Sequence, residues 1–343
     1  MPYLSPHGSP SGKPCMRGSM AESFSDRILA LPKGEQVEVY SPAAQRSRGG
    51  AGAWLESVLA RASIGMGVLL PGVLRDLWIK ALAALGRRMD RRHSLAAREF
   101  IQSALPEAST ERVEELVRGA WQHLPRVAME SAGLRRMVGR RLGDYFDVET
   151  CDGLEDVLAA DNGAMVITAH VGIWEALSLP LGAIGFSPFH AVAKPPSNSF
   201  LAAHMHRQRQ ESGALMIPRK GAMQAVPKVV RAGGAVLMLL DHRARQKPVV
   251  VPFFGRPAAC DRSAGVLVRR VKAPLVFAAC YRQGGSRPYR LVFSRVILPG
   301  DLDGLDASQV MRLVNQETER LILACPEQYF WLHDRYKGLP RDP

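Results

Sequence analysis

Cysteine is scarce in this chain and follows no pattern. The five residues (Cys15, Cys151, Cys260, Cys280 and Cys325) are odd in number and contain no C-x-x-C pair. Neither a disulfide framework nor a zinc ribbon is built from such spacing, and reduced thiols in a cytoplasmic environment are expected. Long apolar runs are also missing. The longest uncharged stretch, Ala62 to Leu74, is broken by glycine and Pro71, whereas a bilayer-crossing helix needs about 20 residues. No apolar h-region opens the chain, so no secretory signal is expected. No Walker-type P-loop and no G-x-S-x-G elbow occurs, and Gly65-Met66-Gly67 lacks the third glycine and the preceding strand of a dinucleotide site. Nucleotide hydrolysis, serine esterase chemistry and dinucleotide binding fall away with these motifs. Acidic residues are few: 32 Asp and Glu against 45 Lys and Arg give a formal charge of +13. Such an excess favours an anionic partner, whether nucleic acid, a phospholipid surface, or a phosphorylated or acidic protein.

What is present is the composition of a globular protein. An apolar fraction of 47% can fill a sizeable core, and 343 residues suit one catalytic domain with a smaller appended unit. Residues 1–50, rich in Pro, Gly, Ser and charge, read as a disordered leader in which Met16 or Met20 can serve as the true start. Residues 51–145 read as a helical membrane-associating region. Within it Leu70, Leu74, Leu77, Trp78, Ala81, Leu82 and Leu85 recur near helical spacing, and Arg87, Arg88, Arg91 and Arg92 follow. An apolar face with a basic end suits an anionic membrane surface, the alternative being a helix packed on its own domain. A further helix is expected near Thr110, with Glu111, Glu114 and Glu115 at its start. Residues 146–343 read as an α/β domain with a mixed, mostly parallel sheet. Ala164 to Ala169, Gly234 to Leu240, Pro274 to Cys280 and Tyr289 to Val296 are its expected strands, several apolar on both faces.

The chemistry concentrates in Ala164 to Pro180, where an apolar strand runs into His170, then Gly172, then an apolar helix containing Glu175. On one continuous helix, residues five apart diverge by about 140°. His170 and Glu175 can meet only if the histidine sits in the turn and the glutamate in the first helical turn, with Gly172 supplying the bend. Glu175 is then expected to accept one ring N–H and raise the basicity of the other nitrogen. That nitrogen can take a proton from a substrate hydroxyl, so no enzyme nucleophile is required. His204 and His206 lie on different faces of a basic helix without a third ligand, and no metal is expected. The aromatic and basic end, Tyr329 to Lys337, reads as a final strand with Trp331 in the core and Arg335 or Lys337 at its rim; it is not read as a nucleic-acid platform.

Between them these blocks carry a resemblance. HVGIWE resembles the H-x-x-x-x-[DE] signature of the bacterial lipid A biosynthesis (lauroyl/myristoyl) acyltransferases, within the lysophospholipid acyltransferase-like superfamily. Ile217-Pro218-Arg219-Lys220-Gly221 is similar to the family's I-P-R-K-G block. Leu240-Asp241-His242 stands where L-x-D-Q is usual, Val251 to Ala258 matches V-P-F-F-G-x-P-A, and Gln328 to Lys337 resembles Q-Y-x-W-x-H-x-R-[WFY]-K. The resemblance covers Trp54 to Lys337. The chain departs from it at His242, in place of Gln, and at Cys260-Asp261-Arg262-Ser263, in place of a Thr-Pro-like turn.

The resemblance implies a glycerolipid acyltransferase-like fold and an O-acyltransferase at the cytoplasmic face of the bacterial inner membrane, peripheral or monotopic. It implies a donor thioester of acyl carrier protein or coenzyme A, a lipid acceptor, no cofactor, no metal and no covalent acyl-enzyme. His170 would deprotonate the acceptor hydroxyl and Glu175 would orient and charge-balance the ring. Arg219, with Lys220 beside it, would hold an acceptor phosphate or stabilise the oxyanion, and Asp241 would position Arg219 or shape the pocket. Arg207, Arg209 and Arg219 would form a basic rim that steers an acidic carrier protein. Lipid A-type acceptors, other glycolipids and phosphatidylinositol mannosides remain open. The alternative is an inactive, membrane-binding member of the fold.

Overall fold

The computed structural model describes residues 23–31, 48–160 and 162–339. Four helices come first: α1 (Gly50–Leu69), α2 (Gly72–Met89), α3 (Arg91–Ala104) and α4 (Thr110–Gly133). Their breaks follow from the chain. Pro71 cannot continue α1, Asp90 accepts the His93 amide hydrogen to cap α3, and Ser109 caps α4 through the Arg112 amide. Of the acids expected at the start of α4, Glu111 lies in its first turn. The leader is only partly as expected. Most of it lies outside the described residues, but Ser23 to Leu31 is ordered: Phe24 and Leu29 are buried, and the Leu29 amide donates to the Arg140 carbonyl at 2.8 Å. These two apolar side chains fill a core position that their Ser- and Pro-rich surroundings concealed.

The remainder alternates strands and helices: β1 (Phe146–Glu149), α5 (Leu154–Ala160), β2 (Ala164–Thr168), α6 (Ser178–Ile184), β3 (Phe189–Ala193), α7 (Ser199–Glu211), β4 (Leu215–Pro218), α8 (Ala222–Arg231) and β5 (Ala235–Leu239). A hairpin of β6 (Val249–Phe253) and β7 (Arg256–Cys260) precedes α9 (Arg262–Val271), β8 (Leu275–Arg282), β9 (Tyr289–Ile297) and α10 (Ala307–Leu323). Seven strands form one sheet in the order β1-β9-β8-β2-β5-β3-β4, in which only β8 and β9 run antiparallel. The fold is therefore mixed α/β with a mostly parallel sheet flanked by helices. All five residues of β2 are buried, because the strand lies between two neighbours and beneath helices on both faces.

Two corrections concern the ends of the domain. Tyr329 to Lys337 is not a strand; it coils back over the sheet edge, with one bridge between Val171 and Tyr329. Trp331 is core as expected, but Arg335 is fully buried instead of lying at a rim. Its guanidinium donates to the Ala259 carbonyl at 2.8 Å and faces the Phe253 ring. The helical region also shares a core with the sheet. Phe100 of α3 meets Phe253, Phe254, Tyr329, Trp331 and Tyr336, with ring centroids 4.9–6.2 Å apart. A boundary at 145/146 thus divides secondary-structure styles while one hydrophobic core crosses it.

Among the described residues, no helix is long and apolar enough to cross a membrane. The α1–α2 hairpin, tied by the Trp78 indole N–H to the Ser63 carbonyl at 3.1 Å, buries Ile79 and Ala83 toward α4. Its other side leaves Leu69, Val73, Leu77 and Met89 between 55% and 80% exposed. Part of the apolar pattern in α2 therefore faces outward.

Replacing Phe100 by Ala removes the ring on which five aromatic side chains converge. We expect a loss of about 3–5 kcal/mol in urea unfolding, the usual range for a buried Phe→Ala change.

Candidate active site

Strands β2 and β5 are parallel neighbours with Thr168 opposite Leu239. Two residues beyond that pair the chain presents His170 from one strand and Asp241 from the other, so parallel register alone brings together residues 71 positions apart. The Asp241 carboxylate grips the histidine twice. One oxygen accepts from the ring Nδ1 at 2.8 Å and the other from the His170 backbone amide at 3.1 Å. Asp241 is buried. Burial opposes its ionisation, but the charge and hydrogen bonds of His170 outweigh that penalty and hold the carboxyl far below the usual carboxylate range. With Nδ1 committed as donor, the ring is fixed as the tautomer whose Nε2 carries the lone pair. The histidine side chain keeps 19% exposure, so its ring is open to a substrate. The site lies beyond the carboxyl ends of parallel strands, where α/β sheets place their ligands.

The turn after His170 is over-determined. Gly172 has φ +60°, and a Cβ there would meet the Cys280 carbonyl oxygen at 2.0 Å, so only glycine fits. The Ile173 amide donates to the same carbonyl at 2.6 Å and the Gly172 amide to the Gln328 carbonyl at 2.9 Å. The Phe330 amide donates to the His170 carbonyl at 3.0 Å. From α4, the His123 Nε2–H reaches the Gly172 carbonyl at 2.9 Å. Burial pushes the His123 pKa down to about 4, keeping this ring neutral.

Glu175 does not accept the ring N–H as expected. It lies in a short 3-10 turn, Trp174–Leu177, and its two oxygens are held by Arg209 of α7 at 2.6 and 2.9 Å. Asp241 reaches His170 first because it is the register neighbour, whereas Glu175 lies beyond a bend fastened to β8. Burial works against ionisation of Glu175, but Arg209 overcomes it and leaves the carboxyl below its ordinary value, with a smaller electrostatic contribution from His170. Arg209, expected at an open rim, is thereby committed to a half-buried pair.

Arg219 follows β4 on the same edge of the sheet, two strands beyond β5 and so about 10 Å away. Asp241 does not position it; its guanidinium pairs with Asp261, the cap of α9, at 3.0 Å, and remains 55% exposed. Lys220 is exposed beside it.

Two neighbours of His170 have a placement that the sequence does not show, where His242 stands out only as a departure from the family pattern. The His242 ring stacks on His170 with centroids 3.9 Å apart and planes 4° from parallel, and His333 stacks on His242 at 4.2 Å. Desolvation of the protonated form, together with positive charge on His170, drives the His242 pKa to about 3; desolvation chiefly takes His333 to about 4. The ligand atoms of His170, Asp241 and His242 lie within 4.8 Å of one another. They fit a metal poorly, because lone pairs in near-parallel ring planes do not converge on one ion and the His170 Nδ1 is already engaged.

Residues 51–338 match the family model described as bacterial lipid A biosynthesis acyltransferase. The chain belongs to that family. It is an acyltransferase. It is 26% identical over 266 residues to the lipid A biosynthesis palmitoleoyltransferase of Escherichia coli strain K12, covering 76% of this chain and 83% of that protein. A lipid A biosynthesis acyltransferase of Shigella flexneri gives the same figures. The lipid A biosynthesis lauroyltransferase of Escherichia coli strain K12 is 26% identical over 264 residues, covering 76% and 84% respectively.

His123 makes stability depend on pH. Its folded pKa of about 4 lies below the ordinary 6.5, so as pH falls below 6.5 the unfolded chain takes up a proton that the folded chain refuses. Stability should drop by up to about 1.4 kcal/mol per pH unit from this ring between 6.5 and 4. Urea unfolding at several pH values should show His123→Gln losing that part of the slope.

Proposed function

We propose that this chain moves a fatty acyl group from a thioester donor, acyl carrier protein or coenzyme A, onto a hydroxyl of a lipid A-type or related glycolipid acceptor. The observation that carries the reading is the His170 ring, anchored at Nδ1 by a buried ionised Asp241 and open at Nε2. Nε2 accepts the proton of the acceptor hydroxyl as its oxygen attacks the thioester carbon. The C–S bond breaks as the tetrahedral intermediate collapses, and the imidazolium returns the proton to the departing thiolate. Asp241 stabilises the imidazolium, the role assigned to Glu175 from the sequence. Glu175 and Arg209 together form the wall beside it as a neutralised pair. Arg219 and Lys220, on the same sheet edge, are suited to an acceptor phosphate or to the acidic surface of a carrier protein. Neither a cofactor nor a metal enters these steps.

The outward apolar face of α1–α2, with Arg87 and Arg88 at its end, supports peripheral or monotopic docking at the cytoplasmic face of the bacterial inner membrane. A member of the fold that binds lipid without turnover needs no aligned imidazole, and the double grip of Asp241 favours the enzyme.

His170→Ala should lower acyl transfer in membrane extracts by at least about a hundredfold, the scale of a general base. Asp241→Asn should fall by a similar factor, and the double variant should be no worse than either, because the two residues act as one unit. Full activity in His170→Ala, with circular dichroism unchanged, sinks the assignment.

Docking is read by flotation with vesicles containing phosphatidylglycerol at low salt. The wild-type chain should float and Leu69→Glu/Val73→Glu should remain at the bottom. Equal flotation of the two removes the hairpin from the binding surface.

A further inference from the structure

A cavity of about 440 Å³ opens beside the histidine column, lined by Arg243, Ala244, Arg245, Pro248, Ala259 and the Lys337–Leu339 segment. Hydrogen bonds tie its walls together. The Ala244 amide donates to the Ala259 carbonyl at 2.9 Å, and the Arg243 guanidinium donates to the Lys337 carbonyl at 2.9 Å. The Arg243 amide donates to the His333 Nε2 at 3.0 Å, which fastens the cavity to the outermost ring of the stack on His170. Among the described residues its lining carries three cationic side chains and no carboxylate. Among the described residues, none of the three forms an ion pair within 4.0 Å.

A fourth cation lies behind the wall. Arg335 is fully buried and donates to the carbonyl of Ala259, a lining residue, at 2.8 Å and to the Cys260 sulfur at 2.9 Å, while its Nε has no partner. No carboxylate of the described residues stands within ion-pair distance of it. Arg335 also lines a smaller neighbouring cavity, together with Asp334 and Glu99. Glu319, which interacts electrostatically with Arg335, is itself pushed up to about 7 by burial and compensates only in part. A buried cation without a counter-charge is costly. An anion in the first cavity would face three cations that have no carboxylate partner among the described residues, with Arg335 behind the shared wall.

We infer that the cavity bounded by Arg243, Arg245 and Lys337 is a binding site for a phosphate group of one of the two substrates. The assignment rests on the acyl-transfer reading for its reaction, and on the cavity alone for its chemistry. A phosphate there sits beside His333, two ring-stacking steps from His170, so the rest of the substrate can extend along the column to the reacting nitrogen. Guanidinium groups match phosphate oxygens in pairs, and the Arg243 guanidinium is already held in place by its bond to the Lys337 carbonyl. The sources are a phosphate on the lipid acceptor and the phosphate of a pantetheine-type donor, and kinetics tell them apart.

Inorganic pyrophosphate is the probe for direct binding, titrated calorimetrically into the full chain at fixed ionic strength. Wild type should bind, Arg245→Glu/Lys337→Glu should weaken binding at least tenfold, and Arg269→Glu, on the exposed side of α9, should not. The two exchanged side chains are exposed, and circular dichroism of the variant should match wild type. Steady-state rates should then show KM for one substrate rising at least tenfold, by more than kcat falls. A rise for the acceptor marks a lipid phosphate, and a rise for the donor marks its carrier. No binding by wild type, equal binding by the double variant, or equal weakening by Arg269→Glu overturns the site. Binding lost with neither KM moved overturns its role as a substrate subsite. Variant-sensitive pyrophosphate binding by a wild-type chain that transfers no acyl group would instead defeat the acyl-transfer reading and leave the anion site standing.

Discussion

The candidate site of this molecule depends on one carboxylate holding one histidine by two atoms. A single hydrogen bond to Nδ1 would fix the tautomer but leave the ring free to swing about it. The second bond, from the His170 backbone amide to Asp241, ties the carboxylate to the main chain that carries the ring. This fork forms only because β2 and β5 are adjacent and parallel with matched ends. The central sheet, its buried apolar strands and the helices that cover them are therefore requirements of the site as well as of stability.

Around that fork the charges are sorted. Glu175 is neutralised by Arg209 within a half-buried wall, so its carboxylate does not compete for the ring N–H. His333 and His123 are kept neutral chiefly by desolvation, and the pKa of His242, stacked on His170, is lowered as well. A stacked neutral ring on one face of His170 also restricts the direction from which a hydroxyl can approach.

Much of this was legible in the chain. Apolar runs at Ala164 to Ala169 and Gly234 to Leu240 are the strands β2 and β5 to within a residue or two, and His170 was singled out because it follows one of them. The same logic applied to the second run would have paired Asp241 with it, since both polar residues stand just past strand ends. Glu175 drew the role instead because it is near in sequence, and sequence distance is a poor guide across a parallel sheet. Arg209 as the partner of Glu175 carried no local signal, because the contact is made by a helix from another crossover. The carboxyl-terminal aromatic stretch resembled a strand by alternation, yet its backbone is drawn into the turn around His170 and its arginine into the core. Ser23 to Leu31 was hidden by the polar composition of its neighbours.

The matched strand ends constrain how this chain can diverge. An insertion or deletion of one residue inside β2 or β5 would reverse which face of the sheet its last side chain points to, and histidine and aspartate would separate together with every core contact of that strand. The segment between Asp241 and β6 is under no such constraint, since it pairs with no central strand. Length changes there can reshape the cavity beside the histidine stack while leaving the fork between Asp241 and His170 untouched. Relatives that accept different head groups are therefore expected to differ in that connection before they differ anywhere in the sheet.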